Sequence, residues 1–358
     1  MSIAAHSRSR QIALGRSHAE RRKIYLDTKF WIILRDAALG VRTDPAARQL
    51  LHDLRRGVAD GRFLCPISAS TFIEVLKQPY SSSRRVGTAQ LVDELSLGVS
   101  MIPSRMIMGT EIHSFLLTAE GAADLYSMQE LIWTKVAYAL GDTYPSLAQL
   151  SPADELAIQK AFFDHLWDYP LSELVKIMGD KIPPPDRFED LSREINEKNA
   201  QHRDELRSFV QTYDIELKGA IDVAGDLAAD VLHRLAEKEA MRKLSPTHGE
   251  WATCVNMCRN LLYHAFKKSG TKDILRCIHI SASIHAVMRW DKKRKFKPND
   301  YYDFENTVAA LSYCDVFLTE GPLHHLVIQP QINLEAVNAC RVFSDIEMAA
   351  DHIREVAR

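Results

Sequence analysis

The 358-residue chain has no run of about 18 consecutive apolar residues, the length a helix needs to cross a bilayer, so no membrane-spanning helix is expected. It also lacks a Gly-rich dinucleotide-binding turn and a Gly-Lys-Ser/Thr phosphate loop, which argues against a nucleotide-binding enzyme. Cysteine is sparse: Cys65, Cys254, Cys258, Cys277, Cys314 and Cys340 lie mostly inside apolar runs. That usage reads as reduced, buried thiols in a cytoplasmic protein rather than a disulfide framework. Cys254 and Cys258 are four apart on an expected helix, with Cys277 on the next, which is too loose a pattern for a zinc knuckle. Net charge is nearly absent as well. The 45 Lys and Arg against 47 Asp and Glu give -2, which excludes a uniformly basic nucleic-acid binder but permits a local basic patch.

What is present is an ordinary folded composition. With 46% apolar and 26% charged residues, the chain is neither disordered nor collagen-like, and its length suits two domains or one domain with a large insertion. Before Ile24 there are six Lys and Arg and one acid, without the apolar core of a secretory signal. Residues 1–23 are expected to be a flexible basic arm.

From Ile24 to Pro103 short apolar runs alternate with helical patterns. Strands are expected at Ile24–Leu26, Phe63–Ile67 and Val99–Ile102, and helices at Asp44–Asp60, Ser68–Lys77 and Ser83–Leu95, a spacing that predicts a parallel sheet covered by helices. From Ser104 to Trp290 the periodicity is helical throughout, including Ala122–Ala139, with breaks at Thr143-Tyr144-Pro145, Pro183-Pro184-Pro185 and Ser245-Pro246. No strand is expected there. After Trp290 the alternation returns, with a helix at Asp300–Ser312, a strand at Asp315–Leu318, a helix from Gly321, a strand at Arg341–Phe343 and a last helix capped by Ser344. The economical reading is one α/β domain, 24–103 plus 291–358, interrupted by an all-helical insertion over 104–290. Two unrelated domains in series would leave too few strands at either end for a covered sheet.

Carboxylates stand where this arrangement matters. Asp27 ends the first strand, and open parallel sheets bind ligands beyond the carboxyl ends of their strands. A carboxylate there is equally suited to cap the helix that follows. Glu74 lies in the largely apolar helix Ser70-Thr71-Phe72-Ile73-Glu74-Val75-Leu76, and Asp303 opens a helix that continues into small residues at Thr307 and Ala310. Asp315 and Glu320 bracket the next strand. Burying several carboxylates together is costly without a cation, and a hard divalent ion with oxygen ligands removes that cost.

These elements resemble the PIN-domain nucleases, and more narrowly PIN-like relatives with long insertions. The resemblance rests on Leu26-Asp27-Thr28, on Ser68 through Glu74, on Asp303 through Ala310, and on Val316-Phe317-Leu318-Thr319-Glu320, with Tyr313-Cys314-Asp315 before it. It covers about 24–103 and 298–345, in order, and not the helical block. Lys29 stands where the family often has Asn, and Glu320 where Asp is more usual. The resemblance implies a three-layer domain around a central parallel sheet. It implies a divalent-metal-dependent nuclease, with RNA favoured over DNA and single-stranded or structured RNA as partner. The catalytic and metal-binding set would be Asp27, Glu74, Asp303, Asp315 and Glu320, holding two Mg²⁺ or Mn²⁺ ions.

A polyanion would need cations beside such a centre. Lys292, Lys293, Arg294, Lys295 and Lys297 cluster just before the Asp303 helix, with Arg84, Arg85 and Lys29 as further nucleic-acid contacts. Phe296, Tyr301 and Tyr302 could stack on bases. His324 and His325 are read as surface or packing residues, and Trp290 as a packing anchor. The helical insertion could wall the site, or serve self-association or a protein partner. Two other functions stay open: a non-catalytic PIN-like scaffold that binds nucleic acid or protein, and a metal-dependent phosphomonoesterase. The second lacks the second Asp that haloacid-dehalogenase-like phosphatases carry two residues after the first.

Overall fold

The computed structural model describes residues 2–123, 125–146, 150–181, 187–268 and 270–357. Its centre is a parallel sheet of four strands. These are β1 (Arg22–Leu26), β2 (Phe63–Leu64), β5 (Val316–Leu318) and β6 (Arg341–Phe343), in the order β2-β1-β5-β6. The register pairs Ile24 with Val316, Leu26 with Leu318, and Leu318 with Phe343. Strand and helix thus alternate as the sequence pattern implied, and the fold is α/β.

Side-chain alternation explains why helices cover both faces. Ile24, Leu26, Val316, Leu318 and Phe343 enter one core. There they meet Phe30, Leu34, Leu50, Leu54, Val92 and Ile353 from the helices Thr28–Ala38, Pro45–Ala59, Arg85–Ser96 and Ile346–Val356. Tyr25, Phe317 and Val342 point the other way, into a second core with Ile280, Ile284, Ala310 and Leu326. Strands this apolar on both sides belong in a sheet buried on both faces. A third core joins the helices Ser104–Ala119, Phe209–Ala240, His248–Ala265 and Arg276–Trp290 through Ile112, Ile221, Ala228 and Leu262.

Several expectations are corrected. The strand at 99–101, β3 (Val99–Met101), does not extend the parallel ladder as a full strand. It pairs antiparallel with β4 (Trp133–Lys135) and touches the parallel sheet through a single bridge from Ser100 to Ile67. Where one long helix was expected over 122–139, the described residues hold a short helix Met128–Leu131, β4 and a 3-10 turn at Val136–Tyr138. Trp133 and Thr134 are buried by this pairing, and long-range burial overrode a weak helical period. The expected helical block is broken by a short 3-10 turn at Arg203–Glu205, and a long helix begins at Phe209, capped by Ser208.

The basic arm is not loose. Ile3–Ser17 is a helix capped by Ser2, with Ser7, Gln11, Leu14 and Gly15 buried. Arg16 pairs with Glu130 at 2.8 Å, and Gly15 is required because a Cβ there would stand 2.7 Å from the Glu130 Cα. Its basic residues share the helix with a narrow inward stripe, too short to announce packing in the sequence. The last helix is capped by Asp345, whose Oδ1 accepts from the amides of Glu347 and Met348, while the Ser344 hydroxyl meets His324. Thr28–Ala38 and Leu171–Met178 form two further helices. The break at Pro183-Pro184-Pro185 lies outside the described residues. Among the described residues no helix is long and apolar enough to cross a membrane.

Candidate metal centre and nucleic-acid interface

Because the four central strands are parallel, their carboxyl ends share one edge. Asp27 leaves β1 there. Its amide continues the ladder to the Leu318 carbonyl at 3.0 Å, and its Oδ1 accepts from the Phe30 amide at 3.1 Å, capping the next helix. Capping and site placement are therefore one device. Asp27 is 5% exposed. Burial, and then the charges of Glu320 and Glu74, push its pKa up to about 7 against the opposing pull of Phe30 and Thr319.

Glu74 comes from the helix Ala69–Lys77, which Ser68 caps at the end of β2. Its Oε2 accepts from the Thr28 hydroxyl at 2.8 Å and from the Asn306 amide at 3.2 Å. Burial raises its pKa, and Glu320 adds to that shift. Asp303 lies in the first turn of the helix Asp300–Tyr313. Burial first, then Glu320, Glu74, Asp27 and Asp300, push it up to about 8. Glu320 begins the helix Gly321–Val327, directly after β5 and Thr319. Four of the five expected acids therefore act on one another at a single edge of the sheet.

The fifth does not join them. Asp315 precedes β5, at the amino end of the strand, and is exposed. At ~3.3 Å per residue, the strand alone sets it about 10 Å from the carboxyl edge. Its Oδ2 accepts from the Lys23 amide at 2.7 Å, which extends the β1–β5 pairing. Asp315 is a register-setting residue here, and its place in the metal-binding set is withdrawn.

Among the described residues, no three Asp, Glu, His or Cys side chains form a group that could hold a metal ion. The donor set still suits one chemically. It is carboxylate oxygen throughout, the preference of Mg²⁺ and Mn²⁺, and a cation would relieve the repulsion that raises Asp27 and Asp303. The Thr319 hydroxyl is fully buried beside Asp27 and opposes the rise of its pKa. The fit thus lies in chemistry and charge rather than in an assembled coordination shell.

Lys293, Arg294, Lys295 and Lys297 line the same open cavity as Asp303 and Glu320, about 580 Å³ in volume. None of these four makes an ion pair among the described residues. Lys292 lines the neighbouring cavity with Trp290 and His325, and Trp290 meets the Phe209 ring edge to face at 6.3 Å. Lys29 is exposed one residue past Thr28, and Arg84 is exposed in a different cavity with Arg35 and Asp36. Arg85 is corrected. It is 1% exposed, and its guanidinium donates to the carbonyls of Gln78, Gly179 and Lys181. The aromatic platform is corrected too. Phe296 is buried and stacked on His285, Tyr301 stacks on Phe188 at 4.4 Å, and Tyr302 is buried under Lys77.

Sequence reasoning missed what stands behind the acids. Tyr25 Oη lies 2.6 Å from both Ser68 Oγ and Asn306 Oδ1, and Ser70 Oγ is 2.7 Å from the same Asn306 oxygen. These groups are buried, and Asn306 carries their order on to Glu74 through its amide. The available signal was a lone amide three residues after Asp303 in a run of small and apolar residues. Comparison with protein-family models, with curated proteins and with solved structures yields no match.

Proposed function

We propose that the protein is a divalent-metal-dependent nuclease of PIN-like type, with RNA as the favoured substrate. The observation that carries this is the meeting of Asp27, Glu74, Asp303 and Glu320 at the carboxyl edge of the sheet, where Asp303 and Glu320 line a cavity with three lysines and an arginine that make no ion pair among the described residues. Buried acids that repel one another are unfavourable for folding, and such clusters mark functional sites. Asp27, Glu74, Asp303 and Glu320 would hold Mg²⁺ or Mn²⁺. When bound, the metal supplies a water activated at neutral pH and charge neutralisation on the phosphate.

The chain's own groups do the rest. Thr28 and Asn306 fix Glu74, and the Tyr25, Ser68 and Ser70 hydroxyls fix Asn306. Lys293, Lys295 and Lys297 attract the polyanion that the acids alone would repel. Asp27 and Asp303, pushed up to about 7 and about 8, would give up their protons where a cation is held beside them. A non-catalytic scaffold is the second reading, favoured by the lack of an assembled metal group among the described residues.

The test uses labelled single-stranded RNA, single-stranded DNA and a phosphomonoester, each with Mn²⁺, Mg²⁺ or EDTA. Metal-dependent cleavage of polymer is expected, lost in Asp27→Asn and Asp303→Asn variants that keep the wild-type melting behaviour. Cleavage indifferent to both substitutions would remove the site. RNA binding without cleavage would favour the scaffold, and hydrolysis of the monoester alone would favour a phosphatase.

A further inference from the structure

A second cavity, whose lining includes none of the four acids at the sheet edge, lies between three helices. It has a volume of about 820 Å³, within the range of small-molecule sites. Its walls come from Ile3–Ser17, Ser104–Ala119 and Phe209–Ala240. Arg105, Gly109 and His113 recur every fourth residue on one wall, and Leu227, Val231, Leu235 and Lys238 form the facing stripe. Gly109 permits the close approach, since a Cβ there would stand 3.3 Å from Leu227 Cδ1.

The charges in this cavity do not balance. Four cations, Arg8, Arg105, Arg234 and Lys238, stand against two acids, Asp142 and Asp230. Asp142 accepts from the Ser7 hydroxyl at 2.5 Å and from the Tyr144 hydroxyl at 2.7 Å, and Asp230 pairs with Arg234 at 3.0 Å. Arg8, Arg105 and Lys238 make no ion pair among the described residues. Arg8 is held in place through one nitrogen by the Leu131 carbonyl at 3.1 Å and is partly buried. Desolvation and the fields of Arg8 and Lys238 keep the His113 imidazole below its usual pKa, so these cations act on a common point. Arg8 and Lys238, with Arg105 on the same cavity wall, repel one another, and an anion removes that repulsion. Two of them are guanidinium groups, whose planar fork fits phosphate oxygens. Ile102, Met106, Leu227 and Val231 offer an apolar wall beside them.

We infer that this cavity binds a small organic phosphate of nucleotide size, with Arg8, Arg105 and Lys238 on the phosphate and Met106, Leu227 and Val231 against the apolar body. The site is independent of the nuclease reading, because it shares no residue with the acid edge.

The experiment is calorimetric titration of the full chain with ATP, inorganic pyrophosphate and adenosine, at two salt concentrations. ATP should bind saturably and more weakly at the higher salt, pyrophosphate more weakly than ATP, and adenosine not measurably. Arg105 and Lys238 are exposed, so charge reversal there should leave the fold intact. Arg105→Glu and Lys238→Glu should each weaken ATP about tenfold or more. Lys292→Glu, in the basic loop, should not. Absence of saturable binding by every phosphate would overturn the inference. So would affinity unchanged in both reversal variants, or affinity lost only in Lys292→Glu, which would place the phosphate on the basic loop. A short RNA that displaces ATP through Arg105 and Lys238 at lower concentration would overturn the small-molecule assignment in favour of a polymer.

Discussion

Glu111 and Asp303 are both acids held near a neutral pKa, about 7 and about 8, but their surroundings differ in kind. Glu111 is fully buried in the helical block, where the Tyr313 hydroxyl donates at 2.5 Å and the Cys277 amide at 3.1 Å. Its upward shift comes from burial, and Tyr313, Cys277 and Arg276 pull it back down. Asp303 is less buried yet shifted further, because the acids Glu320, Glu74, Asp27 and Asp300 add their repulsion to its burial. An acid with donors is part of the structure, whereas an acid surrounded by acids needs something the chain does not supply. This contrast separates the candidate site from ordinary buried polarity more sharply than burial or pKa alone.

The largest effect that could break the contrast is on activity. Asp303→Asn should reduce metal-dependent RNA cleavage on the order of a hundredfold or more. Asp315→Asn should leave it within about twofold, because Asp315 faces the amino edge of the sheet and serves the Lys23 amide. Initial rates on one labelled RNA decide the matter. Equal losses in the two variants would mean that distance from the carboxyl edge carries no information.

The next effect is on stability, and its sign should invert between the regions. Glu111→Ala strips the Tyr313 hydroxyl and Cys277 amide of their buried acceptor, at a cost of about 1–3 kcal/mol. Asp303→Asn in EDTA should be neutral or stabilising, since it removes repulsion and keeps the shape. Urea melts of both variants test this. A destabilised Asp303→Asn would show that the acids at the sheet edge are structural after all.

Much of this division was legible in the sequence. Asp27, Glu74, Asp303 and Glu320 could be placed because each adjoins an apolar strand or opens a helix of recognisable period. Asp315 was misjudged for the same reason. Nearness to a strand in sequence does not say at which end of it a side chain stands, and only the parallel register fixes that. Arg85 looked like its neighbour Arg84 because burial by the helix Leu171–Met178 is a long-range event. The Tyr25–Asn306 network was hidden because its members are 281 residues apart and none is charged. Local pattern reports what one turn or one strand prefers, and the partners of a buried polar group come from elsewhere.

A smaller effect follows from pH. Asp27 and Asp303 titrate in the folded state near 7 and 8, far above the roughly 3.9 of an unfolded Asp. The folded state therefore holds these protons more tightly than the unfolded one. Their contribution to stability is complete below about pH 4 and is lost as pH rises through 7 to 8. In EDTA the melting temperature should fall between about pH 4 and pH 8 and level off above that. Mg²⁺ or Mn²⁺ should flatten the fall by binding the ionised form, and Asp303→Asn should flatten it without metal. Glu111 adds a fall in the same window that metal leaves untouched, so Glu111→Gln should remove only the metal-insensitive part. A slope unaffected by metal in the wild type would mean that the acids bind no cation.

The smallest effect separates the two arginines and the basic loop. Lys293→Glu and Lys295→Glu should weaken RNA binding several-fold and lower the salt dependence of affinity by about one counterion each, because each touches the polyanion as a point charge. Arg85→Ala should leave that salt dependence unchanged and instead lower the melting temperature, since three backbone carbonyls would lose a buried donor. Affinity measured at several salt concentrations distinguishes the two, because a folding defect lowers the active fraction at every salt equally while a lost phosphate contact changes the slope. If Arg85→Ala changed the slope and Lys293→Glu did not, the polyanion would run past the helix Arg85–Ser96 rather than along the loop that shares a cavity with Asp303 and Glu320.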